Sequence, residues 1–89
     1  MAAEQKIGTV TGYYAKIGVA AIALTEGPLQ VGDRIRFHGH TTDFTQAVDS
    51  LEVDRRPVSR AERGSEVAVK ARERVRKHDA VLRLSEGAE

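Results

Sequence analysis

The residues best equipped for chemistry lie between Arg34 and Lys77. His38 and His40 are two apart, so on a strand both imidazoles project to one side, with Asp43 nearby. These are metal-ligand types, yet a zinc site takes three or four ligands, and the remaining histidine, His78, is distant in the chain. The spacing fits exposed turn histidines better than a metal centre. Thr41, Thr42, Thr45 and Ser50 offer hydroxyls beside His40. Nucleophilic catalysis needs a base held against an activated hydroxyl, and no nucleophile-elbow context surrounds these residues. No Gly-x-x-x-x-Gly-Lys-Ser/Thr occurs, so no phosphate-binding loop forms and GTP hydrolysis is not available to the chain. The expectation is a protein that is not an enzyme, with no cofactor and no metal.

The remaining chemistry is cationic. Arg34, Arg36, His38 and His40, joined by Thr42, fall on one expected hairpin; Arg72, Arg74, Arg76 and Lys77 fall on another. Between Arg55 and Arg83 ten Lys and Arg face four Asp and Glu, a local excess of +6. The whole chain is nearly balanced, at 14 Lys and Arg against 13 Asp and Glu, which is unlike a nonspecific nucleic-acid binder. Two readings follow: solvated arginines that serve solubility, or a local phosphate-facing patch. The polar residues 38–46 likewise fit either plain turn chemistry or a recognition surface containing one aromatic ring, Phe44. Tyr13 and Tyr14 place one ring on each face of a strand; one packs in the core, and the other covers a seam in preference to stacking on a base.

The elements that must position these groups read as β throughout. Short β-rich runs alternate with Gly, Pro and Asp clusters, and no segment sustains a helical period. Residues 6–14 form a first run, in which Gly8 and Gly12 mark coiling, a bulge or close backbone approach. Residues 17–24 are apolar on both faces, which suits a strand buried between neighbours. Residues 33–37 point Ile35 and Phe37 inward. In residues 41–54 the apolar parity flips between Val48 and Leu51, so a bulge near Asp49-Ser50 is expected. Residues 55–63 read as a loop. Residues 65–71 alternate with Val67, Val69 and Ala71 inward. The last run, 80–84, places Ala80, Leu82 and Leu84 on one face.

The 89 residues make room for one domain. We expect flexible ends at 1–5 and 85–89 around a single unit spanning 6–84. Zero cysteines excludes a disulfide framework and fits a cytoplasmic location. No apolar run approaches a membrane span, and residues 1–6 do not open a signal peptide. Six strands joined by tight turns favour a small closed six-stranded antiparallel Greek-key barrel, since closure removes exposed edges. A sandwich is the alternative.

Four ordered segments carry a family resemblance. Ile7-Gly8-Thr9-Val10-Thr11-Gly12 resembles the opening strand of the second-domain β-barrel of the translation elongation and initiation GTPases, such as elongation factor Tu. Pro28-Leu29-Gln30-Val31-Gly32-Asp33-Arg34-Ile35 is similar to its Gly-Asp turn. Val48-Asp49-Ser50-Leu51-Glu52, followed by Pro57-Val58 and the Ala61-to-Ala68 stretch, is similar to its long bent strand and Ala-x-x-Gly turn. Val75-Arg76-Lys77-His78-Asp79-Ala80-Val81-Leu82 resembles its closing turn, where the family carries glycine at the position of His78. Residues 39–44 are closer to small stand-alone members, and to barrels appended to some collagenase-like peptidases, than to elongation factor Tu itself. The resemblance implies a non-catalytic, translation-factor-like RNA-binding module in protein biosynthesis. Its partners would be tRNA, at the 3′ end, or the ribosome. The alternative is a protein-interaction adaptor that docks on a separate enzyme.

Overall fold

The computed structural model describes residues 2–86. Ten strands and no helix form among them: β1 (Ala2–Tyr14), β2 (Val19–Ala23), β3 (Leu29–Gln30), β4 (Arg34–His38), β5 (Asp43–Ala47), β6 (Glu52–Val53), β7 (Arg56–Pro57), β8 (Arg60–Ala61), β9 (Glu66–Lys70) and β10 (Ala80–Glu86). Eight of them build one sheet in the order β5-β4-β10-β1-β2-β9-β6-β7, and β3 pairs with β8 in a second. The chain is all-β, as expected. The closed six-stranded barrel is corrected: the ladder is open, with ten strands in two sheets. The β1–β10 ladder runs from Ala2↔Glu86 to Thr9↔Ala80, so it extends into residues 2–5, which the sequence reading placed outside the domain. Met1 and residues 87–89 of the expected flexible ends lie outside the described residues.

The long run 41–54 is not one bulged strand. β5 ends at Ala47 and β6 begins at Glu52, and between them Val48 and Leu51 are both buried. The chain meets the change of parity by leaving strand geometry altogether. The expected loop 55–63 holds β7 and β8, each only two residues long.

In β1, register shifts fall between Lys6 and Gly8 and between Val10 and Gly12. They let an odd residue, Ile7, and an even one, Val10, both reach the core. Gly8 sits where a Cβ would collide with the carbonyl oxygen of Ala23, so the bulge brings two backbones closer than any side chain allows. In β10, Ala80, Leu82 and Leu84 share one face, as read, and the ladder makes that face the outer one. Val81 is buried opposite Phe37, whereas Leu82 and Leu84 are half-buried on the outer face opposite Arg36 and Arg34. Neighbouring strands share faces, so the inward Ile35 and Phe37 of β4 decide which β10 residues point in.

One inward position is polar. Gln46 lies opposite Ile35, is 4% exposed, and aims its side chain at the end of β9. Its Nε2 donates to the Lys70 carbonyl at 2.7 Å, and its Oε1 accepts from the Arg72 N–H at 2.7 Å. Those two backbone groups lie two residues apart, the spacing at which an antiparallel partner would take both. The side-chain amide thus spans the gap between β5 and β9 that the backbone ladder leaves open.

We predict that Gln46→Ala, by stranding both groups, costs about 2–4 kcal/mol in urea unfolding. Gln46→Glu keeps the acceptor but lacks a donor while ionised. Its deficit relative to wild type is expected to shrink as pH falls and the acid protonates, and a pH-independent deficit would contradict the pairing. His78 lies at φ 81°, in the left-handed region that favours glycine. His78→Gly is expected to stabilise the fold by about 0.5–1 kcal/mol.

Candidate functional site

The structure separates the candidate residues into committed and displayed ones. Arg36 is committed: its Nε and Nη2 donate to the two carboxylate oxygens of Asp43, each at 2.8 Å, and its Nη1 donates to Glu4 at 2.8 Å. These hydrogen bonds hold the guanidinium still more firmly protonated and hold the Asp43 carboxyl below its ordinary value. Thr42 is buried, and its carbonyl accepts from the Gly39 N–H at 2.7 Å to close the β4–β5 turn. Neither residue is available to a phosphate. Arg34, His38 and His40 are exposed. Among the described residues no group of three or more His, Cys, Asp or Glu is placed to hold a metal ion.

Arg72, Arg74, Arg76 and Lys77 are exposed, but they do not lie on a hairpin. They occupy a strap without strand structure that crosses from β9 to β10. Arg76 Nε donates to Thr41 Oγ1 at 3.0 Å, which ties the strap to the β4–β5 turn. The strap is fixed along its length. The Ala71 N–H donates to Gly18 O at 2.9 Å, the Arg72 N–H is held by Gln46, and Val75 is 1% exposed in the core. At the far end Asp79, 5% exposed, accepts the Arg76 N–H on Oδ2 at 2.8 Å. Asp79 packs against Gly39, where any Cβ would strike its carboxylate.

A second feature escaped the sequence reading. An open groove of about 950 Å³ runs between the β1–β2 turn and the β6–β7 hairpin. Val19 and Ala21 from the outer face of β2 and Ala68 of β9 line it, together with Tyr14 and Ile17. Tyr14 is 59% exposed and Ile17 62%. Glu52, Asp54, Arg55, Glu66 and Lys70 supply charge along the same groove. Glu66 accepts from Thr11 Oγ1 at 2.7 Å. The β6–β7 hairpin turns through Asp54 and Arg55 at φ 53° and 64°, the paired positive values of a type I′ turn. The signal was present in residues 17–24, apolar on both faces. One face is core, and the other is groove instead of a second buried layer. The lining contains neither histidine nor cysteine.

No protein-family profile matches the chain. Curated relatives do. A collagenase of Porphyromonas gingivalis strain W83 is 31% identical over 91 aligned positions, covering 99% of this chain and 22% of the relative. An uncharacterized protease of Methanocaldococcus jannaschii is 37% identical over 82 positions, covering 91% of this chain and 20% of the relative. The chain spans about a fifth of the curated relatives it matches. Among solved structures, the C-terminal domain of a Geobacillus thermoleovorans protein assigned as a U32 peptidase superposes with TM-score 0.82 at 20% identity, covering 89% of this chain and 91% of that one. Its selenomethionine variant gives 0.81. The chain has the fold of that C-terminal domain.

The translation-factor assignment is thereby corrected. The relatives that match nearly the whole chain are named collagenase and protease, so the expected translation-factor-like, RNA-binding function in protein biosynthesis falls with it. The motifs behind it are Gly-Asp and Ala-x-x-Gly turns, which any small β domain with these connections can use.

The Arg36–Asp43 pair predicts a pH dependence. Asp43 has its carboxyl lowered from 3.8, so its contribution is present above that pH and is lost as pH falls through the lower folded-state value. Asp43→Asn should remove this part of the acid sensitivity, measured by thermal unfolding across the acidic range. An unchanged acid profile would contradict the pairing.

Proposed function

We propose that this chain is a non-catalytic polypeptide-binding module that works with a peptidase of the U32 type. The observation that carries the reading is coverage: almost all of this chain matches about a fifth of proteins named for proteolysis. The remaining four-fifths of those proteins leave ample room for a catalytic body. Within this chain, the groove lacks a histidine or cysteine to act as base or nucleophile, and the buried polar groups Gln46 and Asp79 hold backbone. What the groove does offer is an apolar floor of small side chains, an exposed tyrosine, and charge of both signs. An extended polypeptide suits that combination, because its alternate side chains can reach the floor while the others meet the charges.

The relatives' name makes gelatin the natural probe. The purified chain is expected to leave gelatin and casein intact. Titration with gelatin peptides should shift amide resonances of residues 14–21 and 66–70, and Tyr14→Ala with Ile17→Ser should abolish those shifts without changing the melting temperature. Hydrolysis by the chain alone would overturn the non-catalytic reading. Shifts absent from the groove at saturating peptide would overturn the polypeptide-binding one.

A further inference from the structure

The strap is a second surface, on a different part of the molecule's chemistry from the groove. Arg72, Arg74, Arg76 and Lys77 are exposed within six residues, with Glu73 the single acid among them. Among the described residues, none of the four cations is within salt-bridge distance of a carboxylate, whereas Lys6, Arg36 and Arg60 each are. The side chains are displayed from a backbone that has been made rigid at cost. Burying a polar side chain is unfavourable unless its hydrogen bonds are made. This domain buries only Thr42, Gln46 and Asp79 among its described polar and charged residues. Two of those three hold strap amides, Gln46 at Arg72 and Asp79 at Arg76. Val75, between them, is anchored in the core.

We propose that residues 72–77 are a docking strap for a carboxylate-rich face of a partner protein. Arginine forks match carboxylates in bidentate geometry, as Arg36 does with Asp43 in this same molecule. A backbone already fixed lowers the ordering cost of binding. Nucleic acid fits less well. The whole chain carries a net charge of only +1, and residues 72–77 and the adjoining turn 39–42 contain no Phe, Tyr or Trp to stack on bases, the exposed rings nearby being the imidazoles of His40 and His78. The proposal rests on the accessory-module reading only for the partner's being a protein; the strap's geometry is independent of the groove.

The test uses the full chain, isotope-labelled, with short poly-L-glutamate as the probe. Amide shifts confined to residues 71–78 and Thr41 are expected, with affinity falling roughly tenfold as salt rises from ~20 to ~300 mM. The variant R72E/R74E/K77E should lose at least about tenfold in affinity, as expected for charge reversal at a docking face. Arg76 is left in place because it bonds Thr41. The neutral variant R72Q/R74Q/K77Q, with an unchanged melting temperature, guards against misfolding and should also bind more weakly. Equal affinity in either variant would overturn the proposal, as would shifts spread equally over Lys16, Arg55 and Arg56. Tighter binding of a single-stranded RNA of equal charge to the strap would also overturn it. Gelatin reports on residues 14–21 and 66–70, so failure at the strap and failure at the groove are read from different amides.

Discussion

The fold depends on one side-chain amide. The backbone ladder ends at β5 on one side and continues past β9 only through the single Glu52↔Ala68 bridge to β6. Between β5 and the end of β9 the Lys70 carbonyl and the Arg72 N–H would stand unpaired next to the core. Gln46 takes both, each at 2.7 Å. A buried backbone group left without a partner costs about as much as a lost hydrogen bond, so this amide is worth more than its two contacts taken singly. It also sets where the strap begins. Arg72 is the first residue after Ala71, whose own N–H is fixed to Gly18, and the chain leaves β9 in a direction that those two bonds decide.

From that point the two surfaces are built by different means. The groove is a consequence of packing: β2 has a buried face of Ala20 and Ile22 and an outer face of Val19 and Ala21, and the β6–β7 hairpin rises beside the outer one. Its floor residues Val19, Ala21 and Ala68 are held by ladder bonds. The strap has no ladder. Its shape comes from polar side chains buried beneath it and from Val75, which supplies its one apolar anchor. The two surfaces are thus built independently, one by sheet packing and the other by buried side chains.

Much of the fold was legible in the sequence because strand periodicity and turn chemistry are local. Ile35 and Phe37, and Val67 and Val69, alternate as read and are buried. The Val31-Gly32-Asp33 turn closes as read, with the Asp33 N–H donating to Gln30 O and Gly32 at φ 99°. Long-range choices were not legible. The face of β10 depends on Phe37 across the ladder, not on the pattern Ala80-Leu82-Leu84 itself. Gln46 at an inward position looks like an ordinary surface residue until the end of β9 is placed beside it. The strap's cations were found from charge alone, but the sequence could not tell that Arg36 is occupied by Asp43 and Glu4, or that Thr42 is buried. The groove was hidden because an apolar outer face on a strand reads the same as a second buried layer. The family likeness misled because it rested on turns, which record local geometry and not partnership.

The most direct measurement is native-state hydrogen exchange of the Arg72 and Arg76 amides, read residue by residue. Both lie in a segment without strand structure, and a solvated connection of that kind exchanges at close to the unfolded rate. If Gln46 and Asp79 hold the strap, both amides are protected to the level of the β9 ladder, and Gln46→Ala releases Arg72 while Arg76 stays protected through Asp79. Exchange of both at the unfolded rate in the wild-type chain would contradict the account, because the strap would then have no fixed shape and the sheet no bridge between β5 and β9.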